Sequence, residues 1–373
     1  RCLDDRRQCD IAFRVGGEEV RAHRCILAAR SRFFRDAFMT KWKGRNLVPV
    51  THHLVDASVF RIMLQYLYTG RLELQARQGE SLLELARRCK LTPLIEQLQD
   101  LVPSTVSRGQ YEDLWNARND SKTLLLEPPQ YAQEVQRDLG HLAEWTLSGN
   151  GKASSDECST GETSYADVCF NVDGQHFFGH KVLFCNRSDY FRALIEDPFT
   201  EAGHAGIDCG VPVISLHHVT PEVFTCVMQH VYGNVATALS PENAWEVACA
   251  ADAYLLPELR RQCGQLIGER LDEAGVCTAL RVARLLRLPR LEEQCIDFMA
   301  RHLVQVVQQP EFRDIVSQDA SEVKLRQETD SISVIDDIRY LITANARSSA
   351  EVALANQKLA LIDVLLSDMG LDA

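Results

Sequence analysis

Two pairs of residues stand out first because their types could do acid–base chemistry. Asp10 and His23 recur as Asp167 and His180, at the same separation. A carboxylate and an imidazole kept together are the parts of a general acid–base couple. No nucleophile or cofactor motif accompanies them, however, and an aspartate at a strand start with a histidine at a helix start also suits a buried hydrogen-bond network. Other reactive groupings fail on spacing. Gly149-Asn150-Gly151-Lys152 has the look of a phosphate loop, but Thr146 stands where the first glycine is required and Ala153 where a hydroxyl is required. His176 and His180 are four apart, as on a zinc-binding helix, yet they fall on a strand and its end, and the first copy has Glu19 at the earlier position. The His52-His53 and His217-His218 pairs fall just after a strand in each copy and read as turn residues. There is no Cys-x-x-Cys and no nucleophile elbow. The chain is therefore expected to have no catalytic residue, no metal site and no cofactor.

What positions these residues is an internal repeat. Residues 10–38 align without gaps on 167–195, with identities at Asp10/Asp167, Phe13/Phe170, Val15/Val172, Gly17/Gly174, His23/His180, Arg30/Arg187, Ser31/Ser188, Phe34/Phe191 and Arg35/Arg192. After an insertion in the second copy the match resumes at Val59/Val223, Phe60/Phe224, Tyr68/Tyr232, Leu91/Leu255 and Pro93/Pro257. A period this long means two whole domains.

Each copy has the same local pattern. Alternation over Asp10–Val15 predicts a half-buried strand, and Gly16-Gly17, or Asp173-Gly174, predicts a tight hairpin into a second strand. From His23 and His180 the period becomes helical, and Ser31 and Ser188 stand where an N-cap hydroxyl belongs. A strand follows (47–50; 213–216), then a helix through Phe60–Leu67 or Phe224–Val231, then a helical pair (82–89 and 91–98; 244–254 and 258–266). The fold class expected is α+β, a small sheet covered by helices.

The strings DIAFRVGGEEVRAHRCILAARSRFF and YLYTG, with DVCFNVDGQHFFGHKVLFCNRSDYF and AADAYLLPEL, resemble the BTB/POZ domain at its signature positions, Asp10, His23, Ser31 and Phe34 in one copy and Asp167, His180, Ser188 and Phe191 in the other. Two copies in one chain resemble the ankyrin-repeat and BTB/POZ domain-containing proteins, whose ankyrin repeats would lie upstream of Arg1. The helices after Glu258, with Phe312 as a late aromatic, resemble the start of a BACK region. The resemblance implies protein–protein interaction, pairing of BTB domains in cis or as a homo-oligomer, and, where a loop carries a hydrophobic residue, any residue, then glutamate, docking of the cullin-3 N-terminal domain. Copy two has Phe199-Thr200-Glu201 at that place; copy one has Phe38-Met39-Thr40-Lys41-Trp42 and no glutamate.

Composition bounds the rest. The 373 residues are 46% hydrophobic and 25% charged, a balance that supports real cores. No run of apolar residues is long enough for a membrane span, so no membrane role is expected. The odd count of 13 cysteines and the absence of a secretory signal predict reduced thiols in the cytoplasm or nucleus, with Cys185, Cys249 and Cys295 as small core residues. Cys158 falls in a polar stretch with nothing to activate it. Net charge is −12, but residues 1–100 carry 18 Lys and Arg against 12 Asp and Glu, leaving 22 against 40 in the remainder. Most of the chain would repel nucleic acid, which is not an expected partner.

The expected organisation is a first BTB/POZ domain over 1–103, a helical segment and flexible linker over 104–164, a second BTB/POZ domain over 165–260, BACK-like helices over 261–330 and a helical tail over 331–373. In the segment, Tyr111, Leu114, Trp115, Leu139, Leu142 and Trp145 predict helices packed on copy one; in the tail, Leu354, Leu361, Leu365 and Leu366 form an apolar stripe. The expected function is a substrate adaptor of a cullin-3 RING ubiquitin ligase, with unknown protein substrates; the alternative is an oligomerising scaffold in signalling or transcription.

Overall fold

The computed structural model describes residues 8–51, 55–75, 78–100, 123–126, 129–150, 165–196, 204–208, 211–326, 332–344 and 346–371. Its chain falls into two compact units, Arg1–Ala238 and Leu239–Ala373.

In the first unit, copy one opens with the hairpin β1 (Ile11–Val15) and β2 (Glu18–Ala22), followed by α1 (Arg24–Arg30), α2 (Arg32–Met39), β3 (Leu47–Val50) and α3 (Ala57–Thr69). β1 pairs antiparallel with β2 and parallel with β3, so β1 is central in the order β2-β1-β3. The register sets Phe13 opposite both Val20 and Val48. With Ile11 and Val15 it faces a core built with Phe34, Phe60, Met63 and Leu67. The hairpin turn puts both Gly16 and Gly17 at positive φ (55° and 89°), which is what a two-residue turn between right-twisted strands needs. α3 begins at Asp56, whose carboxylate accepts from the Val59 N–H, and ends at Gly70 in the left-handed region.

Two elements of copy one depart from expectation. After β4 (Leu72–Gln75), α4 (Gly79–Arg88) and α5 (Thr92–Asp100) comes a strand, β5 (Thr123–Leu126), pairing antiparallel with β4 inside a stretch expected to be helical. α6 (Pro129–Asn150) is helical as the spacing predicts, but besides α1 and α3 of copy one it packs on copy two, and more extensively there. Tyr111, Leu114, Trp115 and the polar linker with Cys158 lie outside the described residues.

Copy two repeats the order with β6 (Val168–Val172), β7 (Gln175–Gly179), α7 (Lys181–Arg187), α8 (Asp189–Glu196), β8 (His204–Asp208), β9 (Val211–Leu216) and α9 (Pro221–Gly233). The insertion supplies β8, which lengthens the sheet to β7-β6-β9-β8. Phe170 is opposite Phe177 and Ile214 and sits among Phe184, Phe191 and Phe224, with centroids 4.7, 5.5 and 5.4 Å away.

The second unit is helical: α10 (Ala244–Ala253), α11 (Pro257–Gly268), α12 (Val276–Leu285), α13 (Pro289–Arg301), α14 (Leu303–Val306), α15 (Pro310–Arg326), α16 (Ser333–Ala344) and α17 (Ser349–Asp368). Pro289 and Pro310 begin helices, where a missing N–H costs nothing. Phe312 is fully buried. The Lys358 ammonium donates to the Ala300 and Arg301 carbonyls (2.7 and 3.0 Å), filling acceptors left open at the end of α13. Three sequence expectations are corrected by helix phase. Trp145 and Leu354 are exposed, because the buried positions are Thr146 and Ala355 one residue on, and Cys249 is exposed while Val247, Ala248 and Ala251 are buried. Cys185 and Cys295 are buried, and burial pushes their thiols up to about 11 and about 12, away from reactivity. Among the described residues no helix is long and apolar enough to cross a membrane.

Candidate interaction site

The paired aspartates and histidines flank the hairpin of each copy, and each takes a different kind of partner. Asp10 accepts from the Arg24 N–H at 2.8 Å, and Asp167 from the Lys181 N–H at 2.7 Å. Both carboxylates thus cap the first turn of the helix that follows, from the strand side. The imidazoles meet tyrosines. The His23 Nδ1 lies 2.7 Å from the Tyr68 hydroxyl, to which the His23 N–H also donates (2.8 Å), and the His180 Nδ1 lies 2.7 Å from the Tyr232 hydroxyl. His23 and His180 are buried. The pattern joins strand end, helix start and α3 or α9 into one unit, using the identical residues of the two copies.

Burial raises the Asp167 carboxyl above its ordinary value, against the lowering effects of the Lys181 amide and ammonium. Asp167→Ala should cost about 1 kcal/mol in urea denaturation, through loss of the acceptor at the helix start. Asp167→Asn, which retains an acceptor, should cost less than about half of that. A raised carboxyl holds its proton more readily folded than unfolded, so wild type should gain on Asp167→Asn as pH falls through the carboxylate range and lose that gain as pH rises.

The serines diverge. Ser188 accepts from the Phe191 N–H at 3.1 Å, as an N-cap should, but Ser31 makes no such bond and points its hydroxyl at the Cys89 carbonyl (3.4 Å). Phe34 and Phe191 are core residues, edge-on to Phe13 and Phe170. His176 lies on β7, and no group of three or more metal-ligating side chains occurs among the described residues.

The loops after α2 and α8 separate the copies. In copy one Phe38 is buried, and Trp42 packs edge-on or tilted against Phe13, Phe33, Phe34 and Phe38. Both aromatics of this loop are therefore committed to the core, and what faces solvent is Met39 with Lys41, Lys43 and Arg45. From Ala37 to Val55 the sequence has three basic and no acidic residues; the stretch from Asp197 to Asp208 in copy two has Asp197, Glu201 and Asp208 and no basic one. Phe199 and Glu201 lie outside the described residues, between the end of α8 at Glu196 and the start of β8 at His204. Sequence reasoning passed over a concavity of about 340 Å³ in the second unit, where Trp245, Leu266, Ile267 and Leu271 form an apolar lining edged by Glu242 and Arg270. Its residues come from three helices, so no local motif announces it.

Two hairpin-led α+β copies with a capped helix start and a shared His–Tyr bond define a repeated module, and comparison identifies it. The model of the BTB/POZ domain matches residues 2–105 and 157–271, more than half of the chain, and the chain belongs to that family. It is 27% identical to BTB/POZ domain-containing protein 3 of Schizosaccharomyces pombe, over 98% of this chain and 68% of that protein. It is 24% identical to ankyrin repeat-containing protein YIL001W of Saccharomyces cerevisiae, over 89% of this chain and 67% of that one. The human Kelch repeat and BTB domain-containing protein 4 is 28% identical over 38% of this chain and 26% of its own length. Among solved structures, the BTB domain of human gigaxonin matches with a TM-score of 0.24 and 22% identity, covering 26% of this chain and 80% of that one.

Proposed function

We propose that the protein is a non-enzymatic adaptor that brings protein substrates to a cullin-3 RING ubiquitin ligase, with copy two docking the cullin-3 N-terminal domain. The observation that carries this is the string Phe199-Thr200-Glu201 placed directly after α8, in an acidic stretch, while the same place in copy one is basic and has its aromatics packed on the core, Phe38 buried and Trp42 half-buried. An aromatic anchor with a carboxylate at its rim has the form of an interface hot spot, the ring filling a partner pocket and the charge giving direction. Copy one and any repeats upstream would then select substrates. Among the described residues the cysteines are free and mostly buried, which fits a cytoplasmic or nuclear location.

The test is capture of the cullin-3 N-terminal domain by the wild-type chain and by a Phe199→Ala/Glu201→Ala variant. Retention by wild type and loss by the variant support the reading; equal retention removes the assignment to these residues, and no capture by either removes the ligase role. The last outcome would leave a scaffold that pairs BTB copies to recruit signalling or transcriptional partners, a reading favoured by the contact between the two copies inside the first unit.

A further inference from the structure

The two copies meet reciprocally. Gln8 and Tyr165 are equivalent positions at the repeat offset, each lying just before the first strand of its copy. The Gln8 side chain donates to Glu196 at 3.1 Å and lies beside the Cys185 thiol, on α8 and α7 of copy two. Tyr165 sets its ring edge-on to Phe38 (5.9 Å, 79°) and borders a cleft of about 250 Å³ with Ala28, on α2 and α1 of copy one. Cys185 and Ala28 are themselves equivalent, and Glu196 is equivalent to Met39, the neighbour of Phe38. The residue before each first strand therefore reaches onto the same two helices of the other copy. Contacts in which i meets j while j meets i are isologous and arise about a two-fold axis. Asp10 and Asp167 fit such an axis: apart from burial, the charge on Asp167 is among the influences raising the Asp10 carboxyl, so these equivalent groups are neighbours. Tyr165 holds a left-handed backbone (φ 56°), which costs on the order of 1 kcal/mol and persists only where packing fixes it.

Helix α6 closes this pair. It lies on α1 and α3 of copy one and on β7 and α9 of copy two. Arg30 of α1 forms a largely buried ion pair with Asp138. On the other side Gly140 of α6 crosses Gly233 of α9 so closely that a Cβ on Gly233 would stand 3.1 Å from the Gln136 carbonyl oxygen and 3.2 Å from the Gly140 Cα. Near the end of the helix Thr146 lies beside the Tyr232 hydroxyl.

We propose that α6 locks the two BTB copies onto each other within one chain, so that the face by which each would pair with a BTB domain elsewhere is filled by its sister copy, and the protein is a monomer displaying two unlike BTB surfaces. Tethering supports the choice of partner. A copy joined through residues 104–164 of the same chain is present at an effective concentration on the order of millimolar, about a thousandfold above a micromolar solution of free chains. The inference stands whether or not a cullin docks.

Two experiments on the full chain decide it. In sedimentation across the micromolar range, wild type is expected at 42.0 kDa without concentration dependence, and a species of twice that mass would overturn the proposal. In a Gln8→Cys/Glu196→Cys variant, oxidation is expected to give a disulfide within one chain and no covalent dimer on a non-reducing gel; a covalent dimer would overturn it. The role of α6 is read from Gly233→Leu, which cannot be seated against α6, and from Asp138→Ala, which removes the ion pair without adding bulk. Both should introduce a concentration-dependent dimer that wild type lacks and weaken the intrachain cross-link. Unchanged monomer with an undiminished cross-link in Asp138→Ala would show that α6 does not hold the pair.

Discussion

Replacing Phe199 and Glu201 together with alanine is expected to lower affinity for the cullin-3 N-terminal domain by about 100-fold, close to 3 kcal/mol. The larger part belongs to Phe199. Truncating a buried aromatic anchor at the centre of an interface costs about 2 kcal/mol or more, because both the ring and the partner pocket lose their cover. The smaller part belongs to Glu201, a charge at the rim, whose removal should cost about 1 kcal/mol and reduce the salt dependence of association. Single variants measured beside the double one should divide the loss in that order. A control change in the exposed loop of copy one, Met39→Ala/Lys41→Ala, should leave affinity within about twofold, because surface side chains away from the interface contribute little. Its loop presents the opposite charge and has already spent Phe38 and Trp42 on its own core.

Asp319→Ala is expected to destabilise the helical second unit by about 3 kcal/mol, measured as a lower urea midpoint at unchanged slope. Asp319 is buried and accepts from three N–H donors on two residues. Its two oxygens take the Arg284 guanidinium at 2.7 and 3.2 Å, and one of them also accepts from the Val334 N–H at 3.0 Å, so the carboxylate ties α12, α15 and the start of α16 together. Alanine would leave a buried amide without an acceptor and a half-buried guanidinium without its main counter-charge, and unpaired groups cost more than the pair was worth. The cost falls at the lower end of the usual range because Arg284 retains Glu292 at 3.0 Å and is partly open to water. Asp319→Asn keeps an acceptor for Val334 and should lose about half as much.

Much of the fold was legible in the sequence because the chain states it twice. One period-2 run beside a glycine turn is ambiguous, but the same run with Phe13 and Phe170 at one register, followed by the same aspartate-to-histidine interval, fixes strand, hairpin and helix start together. What escaped was of two kinds. Strands whose partners are distant leave little local trace: Thr123–Leu126 is a short apolar run that fits a helix as well as a strand until it is paired with Leu72–Gln75, and His204–Asp208 carries almost no alternation. Helix phase was the second. Leu139, Leu142 and Trp145 are evenly three apart, but a helix of 3.6 residues per turn drifts off such a row, so Thr146 turns inward and Trp145 outward. In the last helix Ala355, Ile362, Leu365 and Leu366 are buried, with Leu354 one position out.

The candidate site was legible in another way. Asp10, His23, Asp167 and His180 drew notice as chemistry, and their partners are backbone amides and tyrosine hydroxyls. Tyr68 and Tyr232 were visible as repeat identities, but no spacing rule joins them to histidines far back in the chain. The reciprocal seating of Gln8 and Tyr165 was hidden altogether, since the pair is neither identical nor similar and becomes equivalent only once the two copies are superposed by their offset.

Calorimetric titration of the cullin-3 N-terminal domain into the wild-type chain tests the adaptor reading most directly, because it reports affinity and stoichiometry together. The expected result is saturable binding of one cullin domain per chain, with copy two as the sole site. Absence of binding would contradict the ligase reading, and two cullin domains per chain would contradict the division of roles between the copies.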